Sequence, residues 1–399
     1  MTRQILFDLF SCQPYGRVGY HGGGAYGYSL FQLLFERGLF SKGPKPRILI
    51  NRSKPIPDRI NTIIRTENLA EYDIRSYDDV VVSGEEIRNS VLFSPVPYEL
   101  VGYQERFAEF GIRVKGVIHG LRYVELGAEP TINRYRFSGV SLLKGLIRNQ
   151  LGRYYQNRET KRSIRLAECL GGEFLTVSEH TFNVFSGLIE SGQALQPQVA
   201  YMLPDSVMNG VSGGAEPSDR PYFIVVNSNR VEKNAFRVLQ AITYLSDLVD
   251  LQVKFLGCSA IQASRWSRVA KKLGISAASV QFEGYLDRDV YERYYRGALG
   301  LVYPSLSEGF GYPPIEAMNM GLPVAASGGT AIPEACGDAA LYFNPHKPLD
   351  IAAKMRWIYR DRSLRESLVE RGYARVEELK KRVYADLDIA IAYITDRDS

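Results

Sequence analysis

Residues 299–321 read LGLVYPSLSEGFGYPPIEAMNMG. The first five are a continuous apolar run, which suits a strand buried on both faces of a sheet. The last seven are a helix-like stretch stopped by Gly321, a residue suited to the left-handed position after a helix. Pro313 and Pro314 fit the opening positions of that helix, where a missing N–H costs little. The spacing therefore predicts a strand, a glycine-bearing loop at its carboxyl end, and a helix. It puts Glu308 on the loop and Glu316 in the first turn of the helix.

The same rhythm extends outward. Apolar runs at 222–226 (YFIVV), 253–257 (VKFLG), 279–284 (SVQFEG), 323–327 (PVAAS) and 340–343 (ALYF) read as strands, with helix-like stretches such as 235–248 and 261–273 between them. Strands alternating with helices imply a parallel sheet covered on both faces. The first half repeats the pattern at 4–10 (QILFDLF), 47–51 (RILIN), 79–84 (DVVVSG), 114–120 (VKGVIHG) and 173–179 (EFLTVSE). Residues 209–221 are dense in Gly, Ser, Pro and Asp and read as a connector. The expectation is an α/β protein of two doubly wound, Rossmann-like domains facing each other across a cleft. They are 1–207 and 222–399, joined by a linker at 208–221, with the last helix able to pack back on the first domain. Ligands of such sheets sit beyond the carboxyl ends of the strands.

Bulk composition agrees with a folded two-domain protein. The chain has 399 residues, 45% hydrophobic and 23% charged, and no apolar run long enough to cross a membrane. Its start, broken by Asp8, makes a poor signal peptide. Cys12, Cys169, Cys258 and Cys336 are scattered without metal or redox spacing, which predicts free thiols in a reducing, cytoplasmic setting. The four histidines are equally dispersed, and no metal-ligand set is apparent. A formal charge of +5 mildly favours anionic partners.

Two acids flanking Gly309 and Gly311 suit a ligand that combines phosphate with hydroxyls. Glycines allow close backbone approach, a helix start favours anions, and a carboxylate accepts two hydrogen bonds from a vicinal diol. A plain capped helix is the bland alternative. A glycosidase carboxylate pair is another, but it leaves the phosphate-binding features unexplained. A second loop, SGGTAIPEA (327–335), again places glycines before a proline-started helix, and Thr330 there is a candidate donor to phosphate or nucleotide.

The stretch 304–345, PSLSEGFGYPPIEAMNMGLPVAASGGTAIPEACGDAALYFNP, resembles the donor-binding signature of retaining GT-B glycosyltransferases of the family 4 type, the glycosyl transferases group 1. Its Glu-x7-Glu motif is intact. Weaker similarity at 281–298, 175–181 and 117–122 extends over most of the chain. The resemblance implies that Glu308 holds hydroxyls of a donor sugar, that Gly309, Phe310 and Gly311 line the sugar and diphosphate, and that Glu316 takes the ribose. It implies a basic pair after the first strand of the second domain, matched here by Arg230 and Lys233 in NSNRVEKN. That spacing departs from the family's more usual forms. It places His119 under the reacting sugar, although His-Gly stands here where many relatives have His-Asp. Gly23 and Gly24, in the loop GYHGGGAYGYSLF (19–31), are implied to approach the donor phosphate.

The implied activity is transfer of a sugar from a nucleotide diphosphate-sugar to a hydroxyl of a glycan or lipid-linked glycan, with retention and without a metal or other cofactor. Bacterial surface polysaccharide assembly is the implied setting. Rival readings are a nucleotide-sugar epimerase of the same fold and a non-catalytic nucleotide- or glycan-binding relative. The epimerase lacks an evident acid/base set. Segment 142–166 carries Lys144, Arg148, Arg153, Arg158, Lys161, Arg162 and Arg165 around Tyr154 and Tyr155. It suits an anionic membrane surface, with a solvated helix as the plain alternative. No nucleic-acid-binding module accompanies the charge.

Overall fold

The computed structural model describes residues 3–14, 22–39, 45–135, 143, 147, 150–188, 195–208 and 218–395. The chain divides into two compact units. Unit 1 comprises Met1–Leu121, Glu159–Met208 and Leu379–Ser399, and unit 2 comprises Arg122–Arg158 and Asn209–Glu378. Arg122–Arg158, grouped by sequence order with the first domain, thus clusters with the second. The end of the last helix, Arg362–Thr395, clusters with unit 1. Most of the expected linker, 209–217, lies outside the described residues.

Among the described residues, unit 1 holds seven strands, all paired parallel: β1 (Ile5–Asp8), β2 (Arg47–Ile50), β3 (Glu71–Asp73), β4 (Val91–Ser94), β5 (Arg113–Ile118), β6 (Glu173–Thr176) and β7 (Gln196–Val199). Their order is β3-β2-β1-β4-β5-β6-β7. The described residues of unit 2 hold six: β8 (Tyr222–Val226), β9 (Gln252–Leu256), β10 (Val280–Phe282), β11 (Gly300–Tyr303), β12 (Val324–Ser327) and β13 (Ala340–Phe343), in the order β10-β9-β8-β11-β12-β13. Both are doubly wound Rossmann-like sheets. In unit 2 the winding reverses between β8 and β11, paired with Gly300 opposite Phe223 and Leu301 opposite Ile224. Ligands of such sheets bind outside the strand ends at this reversal.

The runs that are apolar at every position are the buried strands. All residues of β8, β11 and β12 are buried, because helices cover both faces of a parallel sheet. In unit 2 the core joins Phe223, Val225, Val253, Phe255, Val302 and Ala325 of the sheet to Trp266 and Ile351 of flanking helices.

Segment 79–84 corrects one reading. It was expected as a strand from its valines, yet Tyr77–Val82 is a helix. Ser76 caps it by accepting from the Asp78 N–H, while the Asp79 carboxylate takes the Ser76 N–H. This reciprocal cap outweighs the β preference of Val80–Val82. The apolar-run reading passes over β3, β4 and β7. β3 and β7 are polar edge strands, and β7 contains Pro197, which an edge tolerates. β4 is a run of four buried residues, too short for periodicity to separate from a helix turn.

Candidate functional site

The loops after β8 and β11 are sewn together. The loop after β8 makes a single 3-10 turn, Val231–Lys233, ended by Asn234 in the left-handed conformation (φ +57°). Asn234 Nδ2 donates to the Pro304 carbonyl at 3.0 Å and to that of Pro345 at 2.7 Å. In return, the Leu306 N–H (2.7 Å) and the Ser305 hydroxyl (3.1 Å) donate to the Glu232 carbonyl. Asparagine accepts this backbone conformation more readily than most residues, and its amide supplies the donors that bridge the loops.

The bridge brings Lys233 against Glu308. Lys233 Nζ lies 2.5 Å from Glu308 Oε1, with side chains only 7% and 14% exposed. The Tyr303 hydroxyl, at the end of β11, lies 3.0 Å from Nζ and 2.6 Å from the same Oε1. The Glu308 N–H donates to Thr330 Oγ1 at 3.2 Å, which brings the second glycine loop to the same place. Burial opposes ionisation of Glu308, but the Lys233 ammonium and hydrogen bonds from Lys233, Ser305 and Tyr303 hold its carboxyl below the usual carboxylate range. Its contribution to stability is therefore complete above the unfolded carboxylate value and is lost as pH falls through the depressed folded one. Burial draws Lys233 below the ordinary lysine value, against the pull of Glu308. Burial and the Glu308 charge push the Tyr303 phenol well up, so it remains a donor.

Arg230 precedes this turn and pairs with Glu232, whose Oε1 also lies 3.1 Å from Arg122 Nη1. Burial works against the Arg230 charge, but Glu232, together with Glu308 further off, raises its pKa. Tyr303, Glu232 and Arg122 were not singled out from sequence. Tyr303 reads as one more apolar strand residue, and only strand pairing aims its hydroxyl at the site.

The helix after the loop is Tyr312–Asn319, one residue longer at its start than expected. Glu316 is thus its fifth residue and lies beyond the first turn. Gly311 caps it at φ +113°, a conformation that strains any residue with a Cβ. Phe310 is buried. Glu316 Oε1 lies 3.4 Å from Arg288 Nη1, and Arg288 also binds Glu292 at 2.6 Å. Arg288 is a further basic residue of this side that sequence reading passed over.

Within unit 1, His119 directly follows β5. Its Nε2 lies 2.6 Å from the Pro95 carbonyl, which only accepts, so Nε2 carries a proton. Its backbone N–H donates to the Tyr98 hydroxyl at 3.0 Å. Gly23 and Gly24 lie in the opening turn of the helix Gly22–Glu36, which packs the Tyr26 ring edge-on to His119 at 5.2 Å. A Cβ on Gly24 would stand 2.4 Å from the Cys12 carbonyl oxygen, so this approach requires glycine. Gly19, Tyr20 and His21 of that loop lie outside the described residues.

Of the basic segment, the helix Gly152–Cys169 exposes Arg153, Tyr154, Arg158, Lys161, Arg162 and Arg165, while Lys144 and Arg148 lie outside the described residues. Among the described residues no three His, Cys, Asp or Glu side chains are grouped as for a metal, and no helix is long and apolar enough to cross a membrane. The four cysteines are free and buried.

Residues 212–375 match the family model described as Glycosyl transferases group 1. O-antigen chain mannosyltransferase B of Escherichia coli is 35% identical over 113 residues, which cover 28% of this chain and 29% of that protein. O-antigen chain mannosyltransferase RfbU of Salmonella typhimurium is 51% identical over 51 residues, 13% of this chain and 14% of that one. The matches thus span less than a third of either relative. Sucrose-phosphate synthase from Thermosynechococcus elongatus superposes with a TM-score of 0.70 at 16% identity, over 98% of both chains. Anabaena HepE, solved with UDP-glucose, gives 0.66 at 12% identity over 98% of this chain and 99% of its own. Over its whole length the chain has the two-domain, Rossmann-like GT-B fold of these structures, with the group 1 match confined to residues 212–375.

Proposed function

We propose that the protein is a retaining glycosyltransferase of the family 4 type. It would move a hexose from a nucleotide diphosphate-sugar to a hydroxyl of a glycan or lipid-linked glycan. The observation that carries this reading is the buried Lys233–Glu308 pair beside the Gly311-capped helix start, within the segment that matches the group 1 model. The similarity to O-antigen mannosyltransferases favours mannose as the first sugar to test and surface polysaccharide as the setting. The UDP-glucose complex of HepE makes UDP-linked sugars the second.

In this reading Lys233 and Arg230 neutralise the diphosphate as negative charge grows on it, and Glu308 accepts hydrogen bonds from the donor sugar. Gly309, Phe310 and Gly311 offer backbone, and Thr330 positions the Glu308 loop. The family resemblance assigns Gly23 and Gly24 to the donor phosphate. His119, its proton held on Nε2, is the group assigned to the oxocarbenium-like charge. The leaving diphosphate oxygen takes the acceptor's proton, so no protein base and no metal is required. Glu316 holds the ribose diol. Incubation with UDP- and GDP-linked glucose and mannose tests the whole reading. Released nucleoside diphosphate with transferred sugar supports it, and an isomerised sugar or simple binding does not.

Glu316→Ala should weaken UDP or GDP binding by about tenfold to a hundredfold, since a hydrogen bond to a charged group contributes roughly 1.5–3 kcal/mol. Arg288, its partner, is 46% exposed, so water replaces the lost contact and the fold should hold. Unchanged affinity on titration would remove Glu316 from the site.

We place the protein in the cytoplasm, peripheral to an anionic membrane through the exposed face of Gly152–Cys169. Each Lys or Arg near such a surface contributes about 1 kcal/mol. Replacing Arg158, Lys161 and Arg162 by Ser should therefore weaken binding to phosphatidylserine vesicles by about a hundredfold while donor hydrolysis continues. Wild-type binding should fade at high salt, as the screening length falls to about 3 Å at 1 M. Protein left in the supernatant at low salt would count against the membrane assignment.

A further inference from the structure

Three side chains meet where β8 and β11 end, and their hydrogen bonding has one solution. An ammonium only donates and a carboxylate only accepts. The Tyr303 hydroxyl, between Lys233 at 3.0 Å and Glu308 at 2.6 Å, must therefore receive from the first and donate to the second. Tyr303 is 1% exposed. It belongs to the strand rather than the loop, so the sheet fixes its position independently of the loop that carries Glu308. Lys233 Nζ also lies 5.2 Å from the centroid of its ring.

The donor reading assigns Lys233 to the diphosphate and Glu308 to the sugar. In the structure the two are bonded to each other. When Lys233 turns to a phosphate, Glu308 is left as a buried carboxylate without its cation, which is strongly unfavourable unless other donors hold it. Ser305 reaches Glu308, but its single proton is also in demand from the Glu232 carbonyl 3.1 Å away. The Tyr303 proton goes to Glu308 at 2.6 Å, and among the described residues no second acceptor competes for it.

We propose that Tyr303 is a positioning residue of the donor site: its hydroxyl holds Glu308 ionised and aimed while Lys233 passes from that carboxylate to the diphosphate. The proposal rests on the donor-site reading above and adds to it an exchange of partners. An intact donor completes the exchange, because sugar hydroxyls replace the ammonium on Glu308. A nucleoside diphosphate alone takes Lys233 and leaves Glu308 to Tyr303. The site thereby favours the intact donor over the spent nucleotide, which assists product release.

The test is a double-mutant cycle on UDP and GDP binding by calorimetry, with wild type, Tyr303→Phe, Glu308→Gln and the double variant. Phenylalanine keeps the ring and removes only the hydroxyl. Tyr303→Phe should weaken nucleotide binding by about tenfold when Glu308 is present, and by less than about twofold when it is Gln. Equal losses in both backgrounds, or no loss in either, would overturn the proposal. Acid unfolding provides a second readout that needs no ligand. The Tyr303 bond lowers the Glu308 pKa, so Tyr303→Phe should move acid unfolding to higher pH, and should not do so in the Glu308→Gln background. An unmoved midpoint overturns the hold on Glu308. If the wild type binds neither nucleotide, the donor-site reading fails and the exchange with it. The acid midpoint still reports separately whether Tyr303 holds the carboxylate.

Discussion

Lys233→Met should lower sugar transfer by at least about a hundredfold, the scale of losing one preorganised electrostatic contact to a transition state. The ammonium matters most as charge develops on the leaving diphosphate, so turnover should fall more than donor affinity. The substitution also disturbs the fold. It leaves Glu308, 14% exposed, without its cation, and breaking a buried pair from one side costs roughly 3–5 kcal/mol. The double variant Lys233→Met/Glu308→Gln separates the two effects. Removing both charges should restore much of the stability while transfer stays low. A folded Lys233→Met protein with normal turnover and only a raised Michaelis constant would contradict the assigned role.

Glu129→Ala should destabilise unit 2 by roughly 3–5 kcal/mol, because it too breaks a buried pair from one side. Glu129 Oε1 accepts from Arg237 Nη2 at 3.0 Å, with side chains 3% and 10% exposed, and also from the Thr131 N–H and hydroxyl. Burial raises its pKa, but these bonds outweigh that and hold it below the usual range. A few residues on, the Tyr135 hydroxyl accepts the Phe236 N–H at 2.9 Å, and its ring meets Trp266 edge-on at 5.0 Å. Together these contacts fasten residues 129–135 to the helix Ala235–Ile242. Urea unfolding followed by Trp266 fluorescence should show the loss, and Glu129→Leu/Arg237→Met should recover most of it. A Glu129→Ala midpoint equivalent to within about 0.5 kcal/mol of wild type would mean that the pair contributes nothing.

These two predictions differ in how far sequence alone leads to them. Glu308 was singled out by the local pattern of its loop, and Lys233 by the resemblance of NSNRVEKN to the basic pair of the glycosyltransferase family. Glu129 and Arg237 were not. Each is one charge among many, and 108 residues separate them. Nothing local marks a charge as buried. The domain division depends on the same long-range contacts, since Arg122–Arg158 precedes much of unit 1 in the chain yet clusters with unit 2.

The sequence by itself determined the alternation of strands and helices in unit 2, because runs such as YFIVV are apolar at every position and only a doubly covered parallel strand buries both faces. It also determined the form of the loop at 305–317, since glycines, paired prolines and a preceding strand act over a few residues. It failed where local signals conflict. The valines of Val80–Val82 favour a strand, and the Ser76–Asp79 cap that turns them into a helix depends on two particular hydrogen bonds. Tertiary structure alone decided that Lys233 meets Glu308. They stand 75 positions apart, and the reversal of winding between β8 and β11 sets their loops side by side. It alone made Tyr303 a polar member of the site, because a strand residue's hydroxyl acquires a role only when pairing fixes which groups lie beyond the strand end. Short-range preference is written in neighbouring residues, whereas the partners of a buried charge are chosen by which strands the sheet brings together.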